Sequence, residues 1–534
     1  MTFFNKDRQL FIKHNKNYFL NNFSSKKEIL VEFNKWPVMH ILLSYLCSYF
    51  SKKYNAIIKS YPGYNFFLAR GIRGYFVNVI WKLANFISFG TFNIYKSFGV
   101  KYFFLPKINN SQKKRVDEIF LKLNKNFITK EYIINLKIYN IYIGDLIYNS
   151  YYHDFREGAF SLDFNSKEFR NFLYNSISLF IFWYDYLKKG SVIAILPIHS
   201  SYLPAINLRI ALKFKIHVFS ASPEKLYRFK SNSMHPWHDF KNYRKKFNTF
   251  SKEQKELFLK LSKKYISYRF KGNNNYFDVI TKFNPFKKKK NSFYFPPKKK
   301  LRILVAAHCF YDSPFLFGKI FFKDFYDWLD FLGNASEKTD YEWYIKTHNY
   351  FRTSTRVIIK NFTNKFKRFT LLPENISHKE IIKNKIDVVL TIYGTIGWEY
   401  AYLNIPVINA SRNNPHIKYN FNINPKNLLE YKKIIFKLNK NYLNSFKINK
   451  KEILEYYFMN YINFKKNWLV EKLEKKISDK LILFLKDKNS FELKCYREWV
   501  KNFKDENHYN ILKNIDEFFL SKDVAYLNKG KFIK

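Results

Sequence analysis

Cysteine is scarce in this chain. The three residues, Cys47, Cys309 and Cys495, stand far apart. They make no CxxC pair and no disulfide framework, which points to a reducing compartment. Long apolar runs are missing as well. Nothing reaches the roughly 18 residues that a bilayer-spanning helix needs, and the nearest stretches, Val38–Phe50 and Leu83–Tyr95, fall short. The N-terminus, MTFFNKDRQLFIKHNKN, lacks the uninterrupted apolar core of a signal peptide. No Asp-x-Asp follows a strand pattern and no Cys/His cluster has zinc spacing, so no metal is expected. Acidic residues are few, 42 Asp+Glu against 94 Lys+Arg, for a net charge of +52. Such a charge attracts polyanions and anionic lipid. These features predict a cytoplasmic protein with access to the inner face of a membrane. The charge is spread along the chain and no nucleic-acid motif accompanies it, so no specific nucleic-acid partner is expected.

What is present describes a folded enzyme-sized chain. Its 534 residues suffice for two or three domains, and 47% hydrophobic content excludes a disordered polymer. Aromatics reach 21%, with 60 Phe and 42 Tyr. Lys, Asn and Ile are abundant too, a combination that AT-rich coding produces by itself.

The stretch Tyr393–Ile408 (YGTIGWEYAYLNIPVI) organises the rest. It follows the β-branched run Ile386–Ile392, which reads as a buried strand. Gly394, Thr395 and Gly397 then fall within four positions, a short helix opens with Glu399 in its first turn, and Ile405–Asn409 reads as the next strand. Glycines let a backbone approach a ligand, and free N–H groups at a helix start favour an anion. The bland alternative is a tight turn in which Glu399 only complements the helix dipole.

Ahead of it, Leu301–Ala307, Tyr341–Ile345 and Phe369–Leu372 read as strands. Between them come helices over Lys323–Ser336 and within 353–365. Ser377 and Glu380 spell a capping box for Lys379–Lys383. Five strands alternating with helices predict a parallel sheet covered on both faces. The N-terminal half has the same rhythm: Ile29–Phe33, Val38–Phe50 and Ala56–Ile58, then a long helix Lys167–Lys189 closed by Gly190, a strand Val192–Leu196, the loop PIHSSY, a helix Leu203–Lys213 and a strand Ile216–Phe219. The predicted organisation is a basic aromatic arm (1–24), an N-terminal Rossmann-like domain (25–283), a Lys/Pro linker (284–300), a second Rossmann-like domain (301–425) and a helical C-terminal extension (426–534).

Candidate chemistry follows from placement. Lys346 and His348, at a strand's carboxyl end, have the charge to neutralise a phosphate leaving group. Thr395 has a hydroxyl for a phosphate oxygen, with Tyr393, Gly394 and Gly397 around it, and Glu399 a carboxylate for ribose hydroxyls. Asp154, His153, His199, His308 and Asp312 are the candidates for a group that takes up a proton. Asp324, Asp327 and Asp330 make an acidic stripe that reads as a solvated face, with the first two suited to a helix start. The lysine runs at 287–290 and 298–300 read as a solvated linker. With Phe286, Phe293, Tyr294 and Phe295 beside them they also admit attachment to anionic lipid.

Leu301–Asp312 (LRILVAAHCFYD), Phe325–Phe331 (FYDWLDF), Tyr341–His348 (YEWYIKTH) and Tyr393–Ile408 together resemble the capsule and surface polysaccharide biosynthesis proteins. These are GT-B-like and similar to the bacterial Kdo transferases and polyol-phosphate transferases. Ile141–Tyr151 (IYIGDLIYNSY) and Ile195–Arg209 resemble their N-terminal halves. The resemblance implies an α/β, GT-B-like fold of two Rossmann-like domains facing across a cleft. It also implies metal-independent glycosyl transfer, without a cofactor, from a nucleotide sugar to a growing or lipid-linked surface glycan such as capsule or lipopolysaccharide. Within it His308 with Asp312 ranks above Asp154. Two positions depart from the pattern: Asn404 stands where glycine is usual, and Asn349 where proline is. A polyol-phosphate transferase or nucleotide-sugar epimerase of the same fold, and a non-catalytic basic scaffold for membrane or nucleic acid, are the alternatives.

Overall fold

A computed structural model describes residues 5–20, 23–63, 71–124, 127–155, 162–222, 225–235, 238–273, 284–287, 293–348, 353–463, 468–469 and 492–526. The fold is mixed α/β with two mostly parallel sheets. The first sheet contains β1 (Glu28–Phe33), β2 (Ile57–Pro62) and β3 (Val100–Phe103). A small hairpin follows, β4 (Lys137–Ile138) with β5 (Ile141–Tyr142). The first sheet is completed by β6 (Val192–Leu196), β7 (His217–Ala221) and β8 (Leu226–Arg228). Its order is β3-β2-β1-β6-β7-β8, parallel except for the β7–β8 pair. The second sheet holds β9 (Arg302–Ala306), β10 (Glu342–Lys346), β11 (Phe369–Leu371), β12 (Val388–Thr391) and β13 (Val407–Asn409). It runs β11-β10-β9-β12-β13, all parallel.

Both sheets therefore change direction of winding once, between β1 and β6 and between β9 and β12. At such switch points the loops leave in opposite directions and open a crevice at the strands' carboxyl ends. Alternate strand residues enter different cores. Ile29 and Val31 pack in one cluster and Leu30 in another; Ile303 and Val305 face away from Leu304. Burial on both faces is why these strands read as continuous apolar runs.

Several expectations are corrected. Within the predicted basic aromatic arm, which shows no clear period, residues 6–19 form a helix, Lys6–Phe19, capped by Asn5. Its buried face includes Asp7, paired with Arg497, and Asn15, whose amide donates to Ser97, and these polar residues break the hydrophobic period. The described helices of the predicted C-terminal extension fold back onto the first half. Helices Lys494–Lys501 and Asp505–Ser521 pack against Lys6–Phe19 and the helix Pro37–Tyr54. They supply Tyr496, Trp499, Ile511 and Phe518 to the core on one face of the first sheet. Arg228 N–H donates to the Val524 carbonyl at 2.7 Å and Tyr526 N–H to the Leu226 carbonyl at 2.9 Å, so residues 524–526 lie along β8. Conversely, the helix Lys252–Lys271 shares a core with Trp398 and Tyr457 of the second half.

The capping box is half formed. Ser377 accepts from Lys379 N–H, but Glu380 accepts from Phe293 N–H instead of its own helix start. The linker is not a solvated tether where it is described. Phe286 and Phe295 are buried, Lys298 pairs with Asp387 at 2.6 Å, and Lys300 pairs with Asp340. Those two rings are consequently not available for insertion into lipid. Residues 470–491 of the predicted helical extension lie outside the described residues. Among the described residues no helix is long and apolar enough to cross a membrane.

Candidate functional site

Each crevice holds a histidine tied to the strand beside it. In the first sheet Glu32 is the next-to-last residue of β1 and His199 follows β6. Glu32 is fully buried, and a buried carboxylate must be satisfied by donors. Its Oε2 accepts from the backbone N–H of Ile198 at 2.6 Å and of His199 at 3.0 Å, and its Oε1 meets His199 Nδ1. The carboxylate fixes which ring nitrogen faces inward. Nε2 has no hydrogen-bond partner among the described residues, and the side chain is a quarter exposed. Burial alone would lower the pKa of His199; the Glu32 charge and hydrogen bond outweigh that and raise it. Trp36 lies 5.9 Å away, ring to ring. The pairing orients one imidazole nitrogen and leaves the other facing outward. Glu32 itself escaped the sequence reading. The signal was an acid near the carboxyl end of the apolar run Ile29–Phe33.

In the second sheet His308 follows β9 and Thr391 ends β12. His308 Nε2 accepts from Ile392 N–H at 3.3 Å and lies 3.3 Å from Thr391 Oγ1, which in turn accepts from Gly394 N–H at 3.2 Å. The ring is stacked on Phe325 and flanked by Tyr393, centroids 4.7 Å away in each case. Burial, reinforced by His348, lowers its pKa to about 3. His308 is thus neutral with its proton on Nδ1, and its acceptor nitrogen is already used. That corrects its placement as a base: it anchors the turn. Tyr393 donates to the Ser313 carbonyl at 3.2 Å and packs against Phe317.

The glycine turn divides into an open and a closed part. Gly394 is partly exposed, and Thr395 is exposed with its hydroxyl unused for capping the helix Ile396–Tyr402. Gly397 is buried. A Cβ there would meet the His416 ring at 2.6 Å, so it is a packing glycine rather than a ligand contact. Glu399 is 2% exposed, and its Oε1 accepts from Arg269 Nε at 2.7 Å, with a second guanidinium nitrogen also paired. The carboxylate expected for ribose is spent on a buried ion pair with a helix 130 residues earlier. Asn404 adopts φ +63°, the left-handed region where glycine is favoured and asparagine next best tolerated. That explains how it replaces the usual glycine.

Lys346 is also displaced from its expected role. It is buried at the end of β10 and its Nζ donates to the Glu374 carbonyl at 3.1 Å. It shares strand parity with Tyr344, which packs on the Leu304 side of the sheet. His348 is exposed, with Nδ1 3.3 Å from Cys309 Sγ. Asn349 lies outside the described residues.

The two crevices meet. Tyr202, in the loop after β6, donates to Asp312 Oδ1, in the loop after β9, at 3.0 Å. The His153 ring lies 5.2 Å from that of Tyr202, tilted by 58°. Asp154 falls in the last turn of the helix Gly144–Phe155, and its side chain lies outside the described residues. Deeper in, Lys130 reaches Asp324 at 2.8 Å and Asp327 at 2.9 Å, and Tyr148 donates to Asp324. Asp324 caps the helix Phe325–Glu337, as its position suggested, but the two acids are a bridge between halves, not a solvated face. Asp330 alone pairs outward, with Lys365.

Two doubly wound sheets with touching switch-point loops define a mixed α/β protein. No protein-family model and no curated protein matches the chain. Among solved structures it is similar to Thermosulfurimonas dismutans KpsC, a beta Kdo 2,4 transferase, at 14% identity and TM-score 0.32, over 50% of this chain and 79% of that one. It is also similar to the UDP-GlcNAc 2-epimerase of Neisseria meningitidis bound to UDP-GlcNAc, at 11% identity and TM-score 0.23, over 82% and 99%. A third is the UDP-GlcNAc 2-epimerase of Methanocaldococcus jannaschii, at 12% and 0.21, over 80% and 97%.

Proposed function

We propose that the chain is a GT-B-like glycosyltransferase that moves a sugar from a nucleotide-activated donor to a glycan acceptor. The observation that carries this is the Tyr202–Asp312 contact, which brings the carboxyl ends of two parallel sheets together. The first crevice offers a proton-transfer pair and the second an open, uncharged turn at a helix start. In this reading the acceptor hydroxyl gives its proton to His199 Nε2 while Glu32 balances the charge that forms on the ring. The donor's phosphate lies against Gly394 and the Thr395 hydroxyl, with His348 at the rim. Lys346 and Glu399 shape this half from beneath without touching the donor. Bond breaking then proceeds with developing charge met by preplaced donors.

The test is binding of CDP-, CMP-, UDP- and GDP-linked sugars, followed by thermal shift. At a hundredfold excess over Kd a true donor stabilises the fold by about 2.7 kcal/mol. Thr395→Trp, at an exposed position, should abolish the shift while leaving the unliganded Tm in place. The reading fails if no donor binds, or if Thr395→Trp binds as well as the natural chain. Incubation of the bound donor without acceptor separates transfer from epimerisation: a 2-epimer forming under those conditions would refute transfer.

A further inference from the structure

We propose that the helix Gly71–Phe86 is a docking face for an anionic lipid bilayer, lying flat among the headgroups with its outer side inserted. This goes beyond the transferase reading and does not depend on it.

The helix is latched to the edge of the first sheet. Gly74, Trp81 and Ala84 form its buried side, and Trp81 packs 5.3 Å from Phe33, ring to ring. Asn85 replaces the missing neighbour of edge strand β3: its amide donates to the Phe103 carbonyl at 3.0 Å and accepts from Phe103 N–H at 2.8 Å. With one side seated, the opposite side should be polar, as on an ordinary surface helix. It is not. Tyr75, Phe76, Ile80, Leu83, Phe86 and Ile87 point outward, with Tyr75 67% and Phe86 85% exposed. Together they form a patch on the order of several hundred Å², the size at which an apolar surface marks an interaction site. At 16 residues the helix is too short to span a bilayer and long enough to lie on one.

Charge selects the occupant. No Asp or Glu stands between Glu32 and Asp117, while lysines and arginines recur through that stretch. Lys82 lies on the helix itself, and Lys101 is exposed on β3 next to it. Aromatic residues that enter the acyl boundary beside cations that meet phosphate headgroups are what an anionic bilayer recognises. A second copy would press the same acid-free segment, from a chain of net charge +52, against its like.

The full chain is mixed with phosphatidylcholine vesicles, with or without about 30 mol% phosphatidylglycerol, and sedimented. Binding to the phosphatidylglycerol vesicles, weakened by salt, is expected. Phe76→Asp/Phe86→Asp should weaken it by at least about tenfold without lowering Tm, since each buried ring contributes substantially to insertion. Leu429→Asp, at an exposed apolar residue far from this helix in sequence, should leave binding unchanged. Phe86→Trp keeps the face apolar and should show a blue shift of emission, relative to the natural chain, when vesicles are added. No sedimentation, equal binding by the double variant, or no blue shift from the Phe86→Trp variant would overturn the proposal. So would a native dimer that the double variant dissociates, or a fall in Tm showing that the chain itself covers this face. Turnover is not read in any arm, so failure here leaves the transferase reading standing.

Discussion

If Glu399 is structural, removing Arg269 should be far more damaging than removing both partners. The side chains are 11% and 3% exposed, and the guanidinium also lies 5.8 Å over the Trp398 ring. Arg269→Met takes away the cation that pairs with the carboxylate and leaves a charge in a site water barely reaches. Breaking a buried pair in this way costs ~3–5 kcal/mol, a large part of the ~5–15 kcal/mol that holds a typical domain. Arg269→Met/Glu399→Leu replaces the pair by apolar groups of similar volume and should come within about 1–2 kcal/mol of the natural chain. Urea unfolding followed by tryptophan emission, with Trp398 beside the pair, reads both variants and yields the coupling. A single variant no worse than the double would refute the buried-pair account. A different result would refute it from the functional side: Glu399→Gln retaining its Tm but losing donor affinity tenfold or more would return the carboxylate to the ribose.

The remaining predictions concern charge elsewhere. Glu32→Gln should move the acidic limb of the pH–rate profile to lower pH. Neutral His199 is the active form, Glu32 raises its pKa, and removing that charge lets the ring lose its proton earlier; an unmoved limb would show that His199 is not the base. His199→Gln should cost roughly 10²–10⁴ in kcat. Lys130→Met should lower stability by ~3–5 kcal/mol by leaving Asp324 and Asp327 together without their cation, and Lys130→Arg should largely restore it. Burial pushes Glu455 up to about 7, against Arg244. The folded state then holds this proton more tightly than the unfolded one, so its contribution is fully present below the ordinary carboxylate pKa and is lost as pH rises toward 7. Stability should therefore fall by a few kcal/mol, in order of magnitude, between about pH 4.5 and 7.5, and Glu455→Gln should remove that slope.

The strands were legible because of how they are buried. Covered on both faces, β9 and β12 appear as unbroken apolar runs, and their ends lie close to where LRILVAA and IDVVLTI place them. Edge strand β3 was not legible, since only Val100 and Phe103 of its four residues are buried. At the site, the residues at both switch points could be located but not their partners. Glu399 and Arg269 are joined only by the fold, as are Gly397 and His416 or Lys346 and Glu374. A glycine pressed against a ring and a glycine opening to a ligand are identical in one dimension. Neutral His308 likewise needed the Ile392 amide to be seen.

The seating of Lys494–Lys501 and Asp505–Ser521 against the first sheet has a consequence for biosynthesis. Translation delivers Leu42, Leu46 and Phe50 early, but Trp499 and Phe518, which share their core, are made only after the whole second sheet. Throughout synthesis of the second half, the nascent first half carries a bare greasy flank, the condition that recruits chaperones and invites aggregation. A premature stop before residue 492 should therefore yield insoluble product, although every strand of both sheets would already have been made.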